Sequence, residues 1–292
     1  MGQQNVFEEA EQVIERLTGQ HVDAKQIERL AHSYGELLEQ KQAVEEPTVV
    51  DERLHYGMMD GGMILTREDA WKEMKLARIF AAKNHLETGK SKDLIVQSRY
   101  VAHLGGHRDF FRKVEKRTDA LPHMIWIADG AKWIWEWVHE SYPKATQILD
   151  YYHGKEKLCE FAKEAFGQKP EELQQWVDQQ EELLLSDQVE IVMANIALVS
   201  CKRKAKVLQR SLLTYYENNR SRMKYKTYRD QGMLIGSGPV EAAHRHVIQA
   251  RLKRSGQRWT FKGAQQVANL RTARYSGDWD SVKNLIRNPS LN

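Results

Sequence analysis

Residues 124–150 constrain the fold more than any other stretch of the chain. Met124-Ile125-Trp126-Ile127-Ala128 is an apolar run, an amphipathic helical pattern covers 131–141, and Thr146-Gln147-Ile148-Leu149-Asp150 makes a second extended segment. Two short strands joined through a helix form a βαβ unit, and such strands lie parallel because the crossover carries the chain back to the same end of the sheet. The pattern predicts an α/β fold.

Three extended stretches precede this unit: 53–59, ending at Asp60-Gly61, then 72–82 and 93–104. In the second, Met74, Leu76, Arg78 and Phe80 alternate with Lys75, Ala77 and Ile79, which is the period of a sheet. In the third, Leu94-Ile95-Val96 is apolar and β-branched. A helix around 106–118, carrying Phe110, Phe111 and Val114, leads to the fourth strand. At the N-terminal end, Phe7, Ala10, Val13, Ile14 and Leu17 recur at helical spacing and Gly19 ends the run. Asp23 can cap a second helix bearing Ile27, Leu30, Ala31, Tyr34, Leu37 and Leu38. The short break suits a helix-turn-helix and a plain helical hairpin equally. Residues 41–52 are polar, acidic and Pro-containing, as in a linker. From 155 to 226 the pattern is helical, broken near Gly167-Gln168-Lys169-Pro170 and at Ser186.

Antiparallel strands, then parallel strands separated by helices, then a helical stretch and a final helix is the order of a ribonuclease H-like fold with a helical insertion before its last element. The expected division is a helix-turn-helix-like DNA-binding segment over 1–45, the first part of the core over 50–154, the insertion over 155–230, and the last part of the core with a basic tail over 231–292.

The net charge of +4 is modest, but its distribution is uneven. Between Lys202 and Arg274 there are eighteen Lys or Arg against only Glu217, Asp230 and Glu241, so the remainder is net acidic. A basic block of this length faces polyanions, with nucleic acid the default partner, although a solvated helical surface is the plainer alternative. Cys159 and Cys201 cannot build a zinc site alone and fit a reducing cytoplasm. No apolar run approaches the roughly 20 residues that cross a bilayer, and the polar N-terminus is not a secretory signal.

Two acids stand at strand ends followed by glycine: Asp60-Gly61 and Asp129-Gly130. Each alone is an ordinary turn signal. At the first and fourth strands of this strand order they become neighbours, and the glycines would leave room for a metal and a DNA backbone. Glu241 follows Gly236-Ser237-Gly238-Pro239-Val240, where Pro239 suits the first position of a helix; a favourable helix dipole is the bland account. Phosphodiester transfer by two metals needs acids converging on cations about 3.5–4 Å apart. Carboxylates suit Mg²⁺, a hard ion that prefers oxygen. Asp150 and His153 form Asp-x-x-His; they could be further metal or DNA-end ligands, or simply a helix cap and a satisfied histidine, and the preferred expectation is that they support the site from behind. Arg245, Arg251, Lys253, Arg254 and Arg258 could neutralise phosphates, and Trp259 could stack on a base or pack beneath the helix.

Ile235-Gly-Ser-Gly-Pro-Val-Glu-Ala-Ala-His, Arg251-Leu-Lys-Arg-Ser-Gly-Gln-Arg-Trp and Leu270-Arg-Thr-Ala-Arg-Tyr-Ser-Gly-Asp-Trp resemble the C-terminal signature of DDE transposases from bacterial insertion sequences, in particular the ISKra-like group. The resemblance spans roughly residues 6–287. It implies that Asp60, Asp129 and Glu241 are the catalytic, metal-holding acids, and Asp-x-x-His is an element shared with related transposase groups. It further implies Mg²⁺ with Mn²⁺ as a substitute, insertion-sequence ends and target DNA as partners, a homodimer on DNA, and a location at the bacterial nucleoid. A ribonuclease H-like nuclease and a non-catalytic DNA-binding remnant are the alternatives.

Overall fold

A computed structural model describes residues 1–45, 50–86, 94–167 and 169–288. In chain order the elements begin with α1 (Phe7–Thr18) and α2 (Ala24–Val44). Strands β1 (His55–Leu65), β2 (Trp71–Ala81), β3 (His85–Leu86), β4 (Leu94–Ile95) and β5 (Arg99–Leu104) follow, then α3 (His107–Thr118). Next come β6 (Met124–Ala128), α4 (Lys132–Ser141) and β7 (Thr146–Leu149). Helices α5 (Tyr151–Phe166), α6 (Pro170–Leu184), α7 (Val189–Leu198), α8 (Arg203–Asn219) and α9 (Tyr225–Asp230) make the long helical stretch. The chain closes with α10 (Gly238–Ala243), a π-helical segment His244–Gln249, α11 (Ala250–Leu252), α12 (Phe261–Tyr275) and α13 (Trp279–Arg287). It divides into unit 1, Met1–Met124 with Gly238–Asn292, and unit 2, Ile125–Ser237. Among the described residues no helix is long and apolar enough to cross a membrane.

In unit 1 the strand order is β5–β2–β1, all antiparallel. The expected strand end at Asp60 is corrected: β1 continues through Asp60↔Leu76 to Leu65↔Trp71. Ile64 is fully buried, as Met58 is, so the core extends past the glycine pair and holds the strand beyond it. Every residue of β2 from Met74 to Ala81 is buried, so its polar alternation does not mark a wet face. Its polar members are internally bonded instead. Lys75 Nζ donates to Gly105 O at 2.8 Å, while Arg78 donates to Ser98 Oγ at 2.9 Å and to Pro239 O at 2.7 Å. The single strand expected over 93–104 is two: β4 pairs with β3, and β5 pairs with β2 (residue 93 lies outside the described residues).

The far side of β5 is closed by side chains of α12. Gln265 accepts from Leu104 N at 2.8 Å and donates to Ala102 O at 3.1 Å, so one amide side chain does the work of a further strand. Helix α2 also lies on α12. Asp23 caps α2 by accepting from Lys25 N, and α1 ends at Gly19 in the left-handed region, both as expected. Helix α2 runs on to Val44, so the linker pattern starts inside it, and residues 46–49 lie outside the described residues. Leu38, Leu270, Ala273 and Val282 form a shared apolar cluster with Ala31. The helices cross closely at Gly35, where a Cβ would stand 2.3 Å from Gln266 O.

In unit 2, β6 and β7 are parallel, registered from Ile125↔Thr146 to Ala128↔Leu149, with α4 as the crossover. The βαβ expectation matches this arrangement. Trp126 is fully buried, with the Trp137 ring centroid 5.0 Å away and that of Tyr142 at 5.3 Å. Helix α5 packs on α6 and α8, and α7 on both α6 and α8. Tyr216 ties α8 to α5 through its hydroxyl, which donates to Gly154 O at 3.0 Å.

Candidate functional site

Unit 2 carries its acids at the carboxyl ends of its parallel strands. Asp129 directly follows β6 and Asp150 directly follows β7, one step beyond the Ala128↔Leu149 pair. Asp150 N donates to Ala128 O at 2.8 Å, so the two acids are side by side on adjoining strand ends. Ligands of open α/β sheets bind at this end of the strands. Asp129 is exposed and accepts from Ala131 N at 2.9 Å, which fixes its carboxylate over the start of α4. Trp135 Nε1 donates to the Asp129 carbonyl at 2.8 Å. The space above Gly130 is taken by a tyrosine: a Cβ there would stand 2.0 Å from the Tyr215 ring. Room for Tyr215, rather than for an ion, accounts for that glycine. Burial pushes the Tyr215 phenol well up, and the charges of Asp129 and Asp150 push it further, so both acids act on the same corner.

Asp150 is wholly buried and serves as the N-cap of α5. Its carboxylate accepts from Tyr152 N at 2.8 Å, Ser237 N at 3.2 Å, the Ser237 hydroxyl, and His153 Nδ1 at 3.1 Å. Burial alone would raise its pKa, but the bonds from His153 and Ser237 outweigh burial and hold it below the ordinary carboxylate value. The expected cap and the expected partner of His153 are thus one group. Ser237 and Tyr215 carry no periodic signal and were not among the expected site residues.

Unit 1 holds Asp60 and Glu241. Glu241 lies on α10, which packs on β1 and β2. Pro239 O is bonded by Arg78, opposite Met58 in register, and His244 Nε2 bonds Met74 O at 3.0 Å, opposite Gly62. Helix α10 therefore advances along the stretch of β1 from Met58 to Gly62, the stretch that contains Asp60. His244 fills the space over Gly62, where a Cβ would come within 2.2 Å of its ring. Asp60 and Gly62 share a strand face, so Asp60 points to the side on which this helix lies. Asp60 and Glu241 are both half-buried. The π-helical segment starts directly after α10, a distortion that frequently marks functional helices.

The expected DNA contacts divide by exposure. Arg245, Lys253 and Arg258 are at the surface, and Arg254 is half-buried in an ion pair with Glu9 at 2.9 Å. Arg251 is 1% exposed. Its guanidinium lies 4.8 Å from the Phe7 ring and 4.7 Å from that of Trp259, and burial pushes its pKa down to about 10. Trp259 is buried too, its indole N–H donating to Leu252 O at 3.1 Å. These two are packed inside unit 1. A cavity of about 700 Å³ near Arg99, Tyr100 and Arg117 in unit 1 is lined by none of the expected site residues.

No protein-family model matches this chain, and neither does any curated protein.

Proposed function

We propose that the chain is a DDE-type DNA transposase with a ribonuclease H-like core, cutting DNA at insertion-sequence ends and joining the freed 3′-hydroxyl to target DNA. The observation that carries this reading is the pair of acids on adjoining parallel strand ends, Asp129 and Asp150, each fixed by the first turn of the helix that follows. Unit 1 carries the other two carboxylates of the motif, Asp60 on β1 and Glu241 on α10.

Asp60, Asp129 and Glu241 are then the residues that hold Mg²⁺, or Mn²⁺ in its place. Their oxygen donors and partial or full exposure suit a hard cation that keeps several waters. Bound there, the cations would lower the barrier to attack by water or the 3′-hydroxyl and stabilise the departing oxygen. Arg245, Lys253 and Arg258 supply exposed positive charge for the phosphates, and two copies of the chain would hold the two ends together.

The test is joining. Purified chain is incubated with pre-cut insertion-sequence ends, a plasmid and Mn²⁺. Strand-transfer product is expected, and both Asp129→Asn and Glu241→Gln should abolish it while DNA affinity stays within about twofold. Hydrolysis without joined product would replace transposase by nuclease. Cleavage that survives both substitutions would remove these residues from the chemistry.

A further inference from the structure

Residues of α2, α3, β5 and α12 line a cavity of about 360 Å³ that lies wholly in unit 1. Val101 and Ala102 of β5, both buried, give it an apolar wall. Its volume is at the small end for a ligand site and suits one ring-bearing molecule rather than a polymer.

The charges that line it do not balance. Glu39 is bonded by Lys113, and Asp109 pairs with Arg112 at 2.8 Å. Lys116 Nζ donates to Ala43 O, a neutral acceptor, and Arg117 enters no ion pair with a described residue. The lining therefore keeps two positive charges with no acid opposite them. A carboxylate would bring one negative charge, whereas a phosphate monoester brings roughly 1.5 to 2 near neutral pH and matches a guanidinium in geometry.

The same cavity is lined by His103, whose Nδ1 is buried with no hydrogen-bond partner among the described residues. A buried polar atom is normally bonded, so this nitrogen asks for a partner from the cavity side. Burial, with the Lys113 charge second, pushes the ring's pKa down to about 4, so it is neutral at neutral pH. A neutral Nδ1 donates in one tautomer and accepts in the other. The edge of a pyrimidine base, an N–H between two carbonyls, answers either. Tyr100 also lines the cavity and supplies an aromatic residue on which a base can stack.

We propose that this cavity binds a pyrimidine nucleoside monophosphate, with Lys116 and Arg117 on the phosphate and Tyr100 and His103 at the base. A free nucleotide and the 5′-phosphorylated end of a DNA strand offer the same chemistry. None of these residues is among the carboxylates assigned to metal, so the proposal does not depend on the transposase reading.

Calorimetric titration of the full chain with thymidine monophosphate, thymidine and inorganic phosphate tests it. Saturable binding of the monophosphate is expected, with thymidine and inorganic phosphate each at least about tenfold weaker. Lys116→Ala and Arg117→Ala should each weaken the monophosphate about tenfold and leave thymidine unchanged. His103→Phe should weaken the monophosphate and leave inorganic phosphate unchanged. Should that variant misfold, the wild-type His103 ring nitrogen resonance, which must move on addition of the monophosphate, takes its place. Absence of saturable binding, thymidine as tight as its monophosphate, or wild-type affinity in both cation variants overturns the assignment. A short 5′-phosphorylated thymidylate strand that binds more tightly than the monophosphate assigns the site to a strand end, and one that binds no more tightly assigns it to the free nucleotide. Strand transfer without nucleotide binding would remove this site alone, and nucleotide binding in a chain that joins no DNA would remove only the transposase reading.

Discussion

A guanidinium enclosed between two aromatic rings stabilises by stacking area and charge together, and only a planar group can do both. Arg251 has that place between Phe7 and Trp259, and its Nε also donates to Gly2 O at 3.2 Å. Arg251→Lys keeps the charge and loses the plane. It should cost about 2–4 kcal/mol, read as a lowered midpoint in urea, with the salt dependence of DNA binding unchanged. Lys253→Ala should behave inversely, with stability unchanged and the slope of log affinity against log salt reduced by about 1. A slope change in Arg251→Lys at full stability would return that residue to the DNA contacts. His103 carries a separate consequence. Burial, with the nearby Lys113 charge second, pushes its pKa from 6.5 down to about 4. The unfolded chain then takes up that proton more readily, so stability is intact above about pH 6.5 and falls as the pH drops toward 4. His103→Phe should recover on the order of 1–2 kcal/mol at pH 4.5 relative to its value at pH 7.5. His32, His55 and His246 are also lowered and leave a residual slope. A variant whose acid sensitivity equals that of the wild type would show that His103 is not the group responsible.

Elements defined by their own residues were readable in advance, while those defined by distant partners were not. The strands Met124–Ala128 and Thr146–Leu149 and the helix between them announce themselves through local apolarity. So do the caps at Gly19 and Asp23. Asp60-Gly61 has the chemistry of a turn, yet it lies inside a strand, because Ile64 and the register to Trp71 continue the core beyond it. Asp-x-x-His was visible, but Ser237, which closes the cage on Asp150, lies 87 positions away and has no pattern linking it. Gln265 is another long-range partner. Gln265→Leu should remove the substitute strand beside β5, and hydrogen exchange at the Leu104 amide should accelerate by about tenfold or more. Unchanged protection there would show that β5 needs no such cover. At the α2–α12 crossing, Gly35→Val must push Gln266 aside, which should cost about 2–3 kcal/mol in thermal unfolding.

At the scale of the whole chain, the carboxylates read from sequence fall as Asp60 and Glu241 in unit 1 and Asp129 in unit 2. A shared metal predicts a specific chemical signature. With Fe²⁺ in place of Mn²⁺, ascorbate and peroxide should cut the backbone near residues 60, 129 and 241 in one preparation, and excess Mg²⁺ should suppress all three cuts together. Cuts confined to one unit would mean that the other does not share the ion. The charge asymmetry was legible as a whole, because composition is additive. Its allotment to individual residues was not, since burial removed Arg251 and left Arg245 outside.

The division of the chain bears on how it is made. Unit 1 is assembled from the first 124 residues and the last stretch from Gly238, with all of unit 2 between them. On the ribosome, β5 and the Gly35 face of α2 therefore emerge long before α12, their common cover. At usual synthesis rates that gap is on the order of ten seconds, far longer than a hairpin or helix needs to form. For that interval an open strand edge and an apolar helix face stand exposed on a nascent chain. The vulnerable species is thus the unfinished polypeptide, and a chaperone that holds it should raise the yield of native protein more than one that acts after release.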